Sequence, residues 1–218
     1  MPSRPTNPPA DRLETLTPSL RALAARGVAK TYRKGQRLIE EGDSSDSIYI
    51  ITKGRVRVFG SGDNGREITY GTRSVGEYVG EMSLDGGPRS ASVEAIEALE
   101  CVQVTRQTLL MHIAEHPEFA LELLSRVIRR ARSTTLSTKQ LALNDAYGRL
   151  VLLLNSLAEA QPDGTRLIPE RLTHQEIANR LGCSREMVSR LMKDLEGGGY
   201  IGEAAPYYRL LKALPARW

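Results

Sequence analysis

Two cysteines in 218 residues are too few for a disulfide framework, and too few on their own for a protein-only zinc site. Cys101 and Cys183 therefore read as the reduced thiols of a soluble, cytoplasmic chain. No apolar run approaches the ~20 residues that a membrane span requires. The Pro-rich start, MPSRPTNPPADR, lacks the apolar centre of a signal peptide. The three histidines, His112, His116 and His174, share no metal-ligand spacing with Cys or Asp, and are expected at the surface or at helix caps. Paired carboxylates on a cleft, a nucleophile–base pair and a metal motif are all missing, so the pattern gives catalysis no support.

The charge is mild overall, +4 with a sequence pI of about 9.2, but it is unevenly spread. Between Glu40 and Glu100 the acids outnumber the bases two to one, whereas from Arg166 to Trp218 the bases prevail. The C-terminal part is thus the end that faces a polyanion. Its densest signal is residues 173–195, THQEIANRLGCSREMVSRLMKDL. Ile177, Ala178 and Leu181 form one short apolar face, and Val188, Leu191, Met192 and Leu195 form a second after Gly182. Thr173 with Glu176 three residues on is a capping-box start, and Ser184 suits the N-cap of the second helix. Two such helices around a tight turn predict a helix-turn-helix whose second helix enters the major groove. That helix presents Arg185, Glu186, Ser189, Arg190 and Lys193 on its polar face. Arginine can fork onto guanine O6 and N7, and Glu can accept from cytosine N4. A plain helical hairpin with a solvated charged face fits the same pattern.

Upstream, Leu13 to Ala25 reads as a short helix, and Val28 to Val104 has a β texture. SIYIITKGRVRVF turns at Lys53-Gly54, and further turns are expected at Lys34-Gly35, Glu41-Gly42, 61–65 and Val75-Gly76. Many short strands with frequent glycine turns predict an antiparallel roll. A long helix then runs from Pro117 to about Leu143. Leu121, Leu124, Ile128, Ala131, Thr135, Thr138 and Ala142 recur at alternating steps of three and four, an a/d seam. Its small and polar members are poor core fillers but let a partner helix approach closely, which predicts a homodimer. Tyr147 to Ala158 is a further helix, and Arg166 to Ile168 a strand.

One loop remains, GEMSLDGGPRSASV at 80–93. Glu81 and Arg89 flank a Gly-Gly-Pro turn, with hydroxyls at Ser83, Ser90 and Ser92. Glu can accept from ribose hydroxyls, and Arg can pair with phosphate through parallel N–H bonds. Glycines let backbone donors approach an anion. A surface turn with a structural Glu–Arg pair is the plainer alternative.

Together these motifs resemble the cyclic-AMP receptor protein / fumarate–nitrate regulator (CRP/FNR) family of bacterial transcription factors, in particular its cyclic-nucleotide-sensing branch. The resemblance covers nearly the whole chain. It implies an α+β fold: an N-terminal arm and cyclic-nucleotide-binding β-roll (1–117), a dimerisation helix (118–144) and a winged helix-turn-helix (145–218). It implies that Gly80, Glu81, Met82, Arg89, Ser90 and Ala91 bind the effector, with Thr134 and Thr135 reaching the base across the dimer. It implies that Arg185, Glu186 and Arg190 read a TGTGA-type half-site. Thr173, Gln175 and Ser184 fall at positions that contact phosphates, and His174 replaces a common basic contact there. The effector it favours is cyclic AMP, with cyclic-di-GMP or ligand-independent action as alternatives, and RNA polymerase is the further partner of an activator, through the 161–165 turn. Iron–sulfur sensing needs N-terminal cysteines, and none precedes Cys101; haem sensing wants a histidine in the roll, and all three lie beyond it. A nucleotide-binding module with a non-DNA output is the reading of another class.

Overall fold

The computed structural model describes residues 13–62, 65–204 and 206–215. It comprises two compact units, residues 1–60 with 69–130 and residues 61–68 with 131–218. In the first, helix α1 (Pro18–Ala24) precedes eight strands: β1 (Val28–Tyr32), β2 (Arg37–Ile39), β3 (Ile48–Lys53), β4 (Val56–Ser61), β5 (Glu67–Arg73), β6 (Tyr78–Val79), β7 (Ser92–Ala95) and β8 (Leu99–Val104). They form two four-stranded sheets, ordered β1-β8-β3-β6 and β2-β7-β4-β5. Helices α2 (Arg106–Glu115) and α3 (Glu118–Leu143) follow. The mixed fold, an antiparallel roll followed by a long helix and a helix-turn-helix, is the one expected. The first helix is shorter than the expected 13–25, because Thr17 caps it and Pro18 opens it. Of the glycine turn at 61–65, Asp63 and Asn64 lie outside the described residues.

Side-chain alternation explains how the first sheet holds the roll together. Tyr49 and Ile51 of β3, with Leu99 and Cys101 of β8, face the roll interior alongside Val56, Val93 and Ala95. Ile48 and Ile50, with Val102 and Val104, face the other way, onto Leu20, Leu23, Leu109 and Phe119 from the three helices. Both faces of β3 are therefore covered, and for that reason the run IYII shows no polar alternation. Burial in the interior pushes the Cys101 thiol up to about 12.

The second unit holds helix α4 (Ala146–Leu157), strands β9 (Glu159–Ala160) and β10 (Arg166–Ile168), helices α5 (His174–Leu181) and α6 (Arg185–Gly197), and strands β11 (Ile201–Ala204) and β12 (Tyr207–Leu210). The sheet order is β11-β12-β10-β9. Leu150 and Leu154 of α4, Ile177 and Leu181 of α5, and Val188, Met192 and Leu195 of α6 share one core with Ile168, Ile201 and Leu210. These include most of the apolar residues that the helical periodicity assigns to α5 and α6.

Candidate ligand cassette and DNA-reading helix

The cassette begins where β6 ends. Gly80 has φ +89°, and a Cβ there would lie 2.7 Å from the Arg89 Nη1 and 2.9 Å from the Ser47 carbonyl. Only glycine tolerates both the backbone conformation and the crowding. Residues Glu81–Ser83 then form a single 3-10 turn. Arg89 is 4% exposed and its guanidinium is spread over four neutral oxygens. Nη1 donates to the Gly80 carbonyl and to Ser83 Oγ, both at 2.7 Å; Nη2 donates to Ser45 Oγ at 2.8 Å and to the Ser47 carbonyl at 2.7 Å. Burial lowers the Arg89 pKa, while Tyr49, Asp46, Glu81 and Asp43 oppose the shift. A buried guanidinium whose hydrogen bonds all go to neutral oxygens has charge left to offer an anion.

Glu81 is buried as well, but its ion-pair partner is Arg130 of α3, not Arg89. The Glu–Arg pair considered as a structural alternative thus exists with a different arginine. Arg130 also donates to the Tyr78 carbonyl at 2.6 Å, and Arg126, one turn earlier, donates to the Gly76 carbonyl at 3.1 Å. Both guanidiniums lie over the Tyr78 ring, at 5.4 and 5.1 Å. The sequence reading missed this pair; their i, i+4 spacing off the seam was the signal. It also missed Ser45 and Ser47, which no local motif marks. Of the expected cassette hydroxyls, Ser83 and Ser92 are buried and bonded within the roll. Met82 and Ser90 are exposed, 3.5 Å apart at Sδ and Oγ, and Ala91 is half-buried.

Phe119 is the one buried side chain of α3. Leu121 is 69% exposed, Leu124 53% and Ile128 41%; Ala131, Thr135, Thr138 and Ala142 are exposed too. The seam thus lies on the exposed face of α3 among the described residues. Thr134 and Thr135 are exposed, and the Thr135 hydroxyl donates to the Ala131 carbonyl at 3.0 Å.

The helix-turn-helix is capped as its sequence dictates. Thr173 Oγ1 accepts from the Glu176 N–H at 3.1 Å, and the Glu176 carboxylate accepts from the Thr173 N–H at 2.7 Å. Gly182, at φ +66°, ends α5, and Ser184 Oγ accepts from the Met187 N–H at 3.2 Å to start α6. Arg149 of α4 donates to the Leu181 carbonyl at 3.0 Å, satisfying the end of α5. Arg185, Glu186, Arg190 and Lys193 are exposed. Hydrogen bonds from its own backbone N–H and from Ser184 hold the Glu186 carboxyl below its ordinary range. His174 and Ser189, expected to face DNA separately, share a 2.9 Å hydrogen bond that ties α5 to α6. Gln175 is exposed and donates to Asn179 Oδ1 at 2.8 Å.

The histidines correct one expectation. His116 is half-buried and caps α2, and His174 is half-buried too, but His112 is fully buried between α2 and Phe119. Helical phase carried it inward with Leu109. No helix among the described residues is long and apolar enough to cross a membrane.

Known proteins match both sites in order. Residues 29–116 match the cyclic nucleotide-binding domain, and residues 171–201 match the bacterial regulatory proteins of the crp family. The chain is 33% identical over 172 residues to the cAMP-activated global transcriptional regulator CRP of Salmonella typhimurium, covering 76% of this chain and 80% of that one. It is 32% identical over 174 residues to the CRP-like cAMP-activated global transcriptional regulator of Mycobacterium tuberculosis, covering 78% of each. Among solved structures, the c-di-GMP responsive global regulator CLP of Xanthomonas campestris superposes with a TM-score of 0.78 at 24% identity, over 89% of this chain and 98% of that one. The chain is a cyclic-nucleotide-binding, DNA-binding transcription regulator and belongs to the CRP/FNR family.

Proposed function

We propose that this regulator acts in the cytoplasm as a homodimer gated by a cyclic nucleotide, cyclic AMP first among them, and that it binds a pseudo-palindrome of TGTGA-like half-sites. The buried Arg89 carries the effector reading, since all its hydrogen bonds are made to neutral oxygens. Its guanidinium and the Gly80–Ser83 turn hold the phosphate, with Met82, Ser90 and Ala91 at the rim. Glu81 accepts from the ribose hydroxyls, in exchange for part of its pairing with Arg130. The cAMP-activated relatives favour cyclic AMP. The c-di-GMP responsive neighbour keeps cyclic-di-GMP as the second choice.

The exposed a/d stripe of α3 supports a second copy as its cover, in keeping with the heptad spacing. Thr134 and Thr135 then meet the base from the partner protomer. A ligand bridging both helices shifts their equilibrium by its differential affinity for the two states. Arg185 and Arg190 fork onto guanines and Glu186 accepts from cytosine, while Thr173, Gln175 and Ser184 steady the phosphates and His174–Ser189 sets the angle of α6. An activator of this form contacts RNA polymerase through the 161–165 turn. The roles are those of a regulator, not of an enzyme. Calorimetric titration with cyclic AMP, cyclic GMP and cyclic-di-GMP, paired with gel shifts on a TGTGA palindrome, tests the reading. Nucleotide-dependent retardation is expected; retardation indifferent to all three ligands refutes the gating.

A further inference from the structure

Residue 112 of α2 occupies an apolar position but carries an imidazole. Its ring is wholly buried, and neither Nδ1 nor Nε2 has a hydrogen-bond partner. The Phe119 ring meets it edge-on, with centroids 5.1 Å apart and planes at 79°. Phe119 is the one fully buried residue of α3 and sits in the roll core alongside Leu20, Leu109 and Tyr78, with Leu123 partly buried against the same cluster. The chain turns sharply between the two rings, where the His116 N–H closes α2 on the His112 carbonyl and Pro117 opens the next helix. His112 therefore packs on the deepest apolar contact between the start of the long helix and the roll.

The surroundings do not welcome a proton. The His116 ring lies 4.7 Å away, and Arg26 adds a positive charge. The nearby acids are engaged elsewhere: Glu115 pairs with Arg26, and Glu118 lies 3.5 Å from His116 Nδ1. A second ring N–H would be a buried donor and a buried charge, both without a partner.

We propose that His112 makes the α2–α3 elbow an acid-sensitive latch, closed while the imidazole is neutral and opened by its protonation. A protonated ring gains most by swinging into water, which removes the face that Phe119 packs against. Burial, then His116 and Arg26, lower the pKa of the closed-state ring. The opened state, with an ordinary histidine near 6.5, takes the proton first. Latch stability is thus complete above that pH and falls as pH drops through it, by up to about tenfold per pH unit for one proton. The latch follows from the fold alone and does not depend on which nucleotide the roll binds.

Amide hydrogen exchange of residues 109–123 in the full-length protein tests it, comparing about pH 5.5 with about pH 7.5 after correction for intrinsic exchange rates. The wild type should lose roughly tenfold in protection at the lower pH. His112→Leu should hold its protection within about twofold, and His116→Gln should behave as wild type. Equal losses in wild type and His112→Leu, or no loss in wild type, overturn the proposal. If His112→Leu does not fold, the wild-type ring answers by NMR. Its neutral signals and its contact with Phe119 should disappear together as pH falls below the ordinary histidine range, and a ring that titrates with the contact intact overturns the latch.

Discussion

Arg89 and Arg185 are the same side chain in opposite surroundings. Arg89 is buried and already satisfies two carbonyls and two hydroxyls. Arg185 stands exposed in the first turn of α6. On the proposed reading, a ligand at the roll meets a guanidinium held in place by its hosts, so little ordering remains to be done on binding. On the reading proposed above, DNA meets an exposed side chain whose position comes from the helix beneath it. The proposed ligand site is therefore also a piece of the roll's core, while the proposed DNA face lies outside the core of its own unit.

Replacing Arg89 sharpens this contrast with the largest expected effect. Arg89→Ala should weaken nucleotide binding by roughly 2–5 kcal/mol, the usual cost of losing one partner of a buried charged contact. It should also lower the thermal midpoint, because the Ser47 carbonyl loses the Arg89 donor at roughly 1–3 kcal/mol for a buried unsatisfied group. Calorimetry of binding and of unfolding reads both. A variant that unfolds earlier but binds nucleotide as before would leave Arg89 as core alone.

A second break concerns what covers α3. Leu124→Asp with Ile128→Asp should give monomers on size-exclusion chromatography with light scattering, with the roll still folded. Each buried Leu or Ile contributes about 1.5–3 kcal/mol, and a dimer buries both from each chain. Persistence of a dimer would remove the seam. Equally, unfolding of the roll would show that the stripe belongs to its own chain.

On the exposed side the effect is smaller and local. Arg185→Ala should cost roughly 1–3 kcal/mol in site affinity and relax preference at one base pair only. Its thermal midpoint should stay close to wild type, since a surface change away from caps and core shifts stability by about 0.5 kcal/mol or less. Selection of bound sites from a random library gives the comparison. An unchanged motif would defeat the proposed reading, and a large loss of stability would defeat the contrast with Arg89.

The same contrast explains what could be read from the sequence. Surface chemistry on a regular helix is legible because its period is local: Thr173, Glu176, Gly182 and Ser184 mark the helix ends, and Ile177, Leu181, Val188 and Leu195 mark the inner face. The strand run at 48–51 was legible as β, but not that both its faces are covered, because that follows from the helices packed behind it. Glu81 and Arg89 stood out by type and spacing, whereas their partners did not. Arg130 is 49 residues from Glu81, and Ser45 is 44 from Arg89. Pairings over such distances are set by tertiary packing. His112 was misplaced for a related reason: a histidine is ordinarily polar enough to point outward, and only the packing of Phe119 shows that it does not.

Lys193 offers the finest test of the exposed side. It lies eight residues beyond Arg185 on α6, about 12 Å further along the axis at 1.5 Å per residue. Recognition helices present their N-terminal residues to base edges, so a cation that far along meets the phosphate backbone. Lys193→Ala should then weaken all sequences about equally, leaving the selected motif intact. Neutralising one phosphate releases one counterion fewer, so the slope of log affinity against log salt should flatten by about 1. Fluorescence anisotropy across a salt series on specific and scrambled duplexes measures both. A loss confined to one base pair would move Lys193 into the group that reads bases, and an unchanged slope would leave it facing solvent.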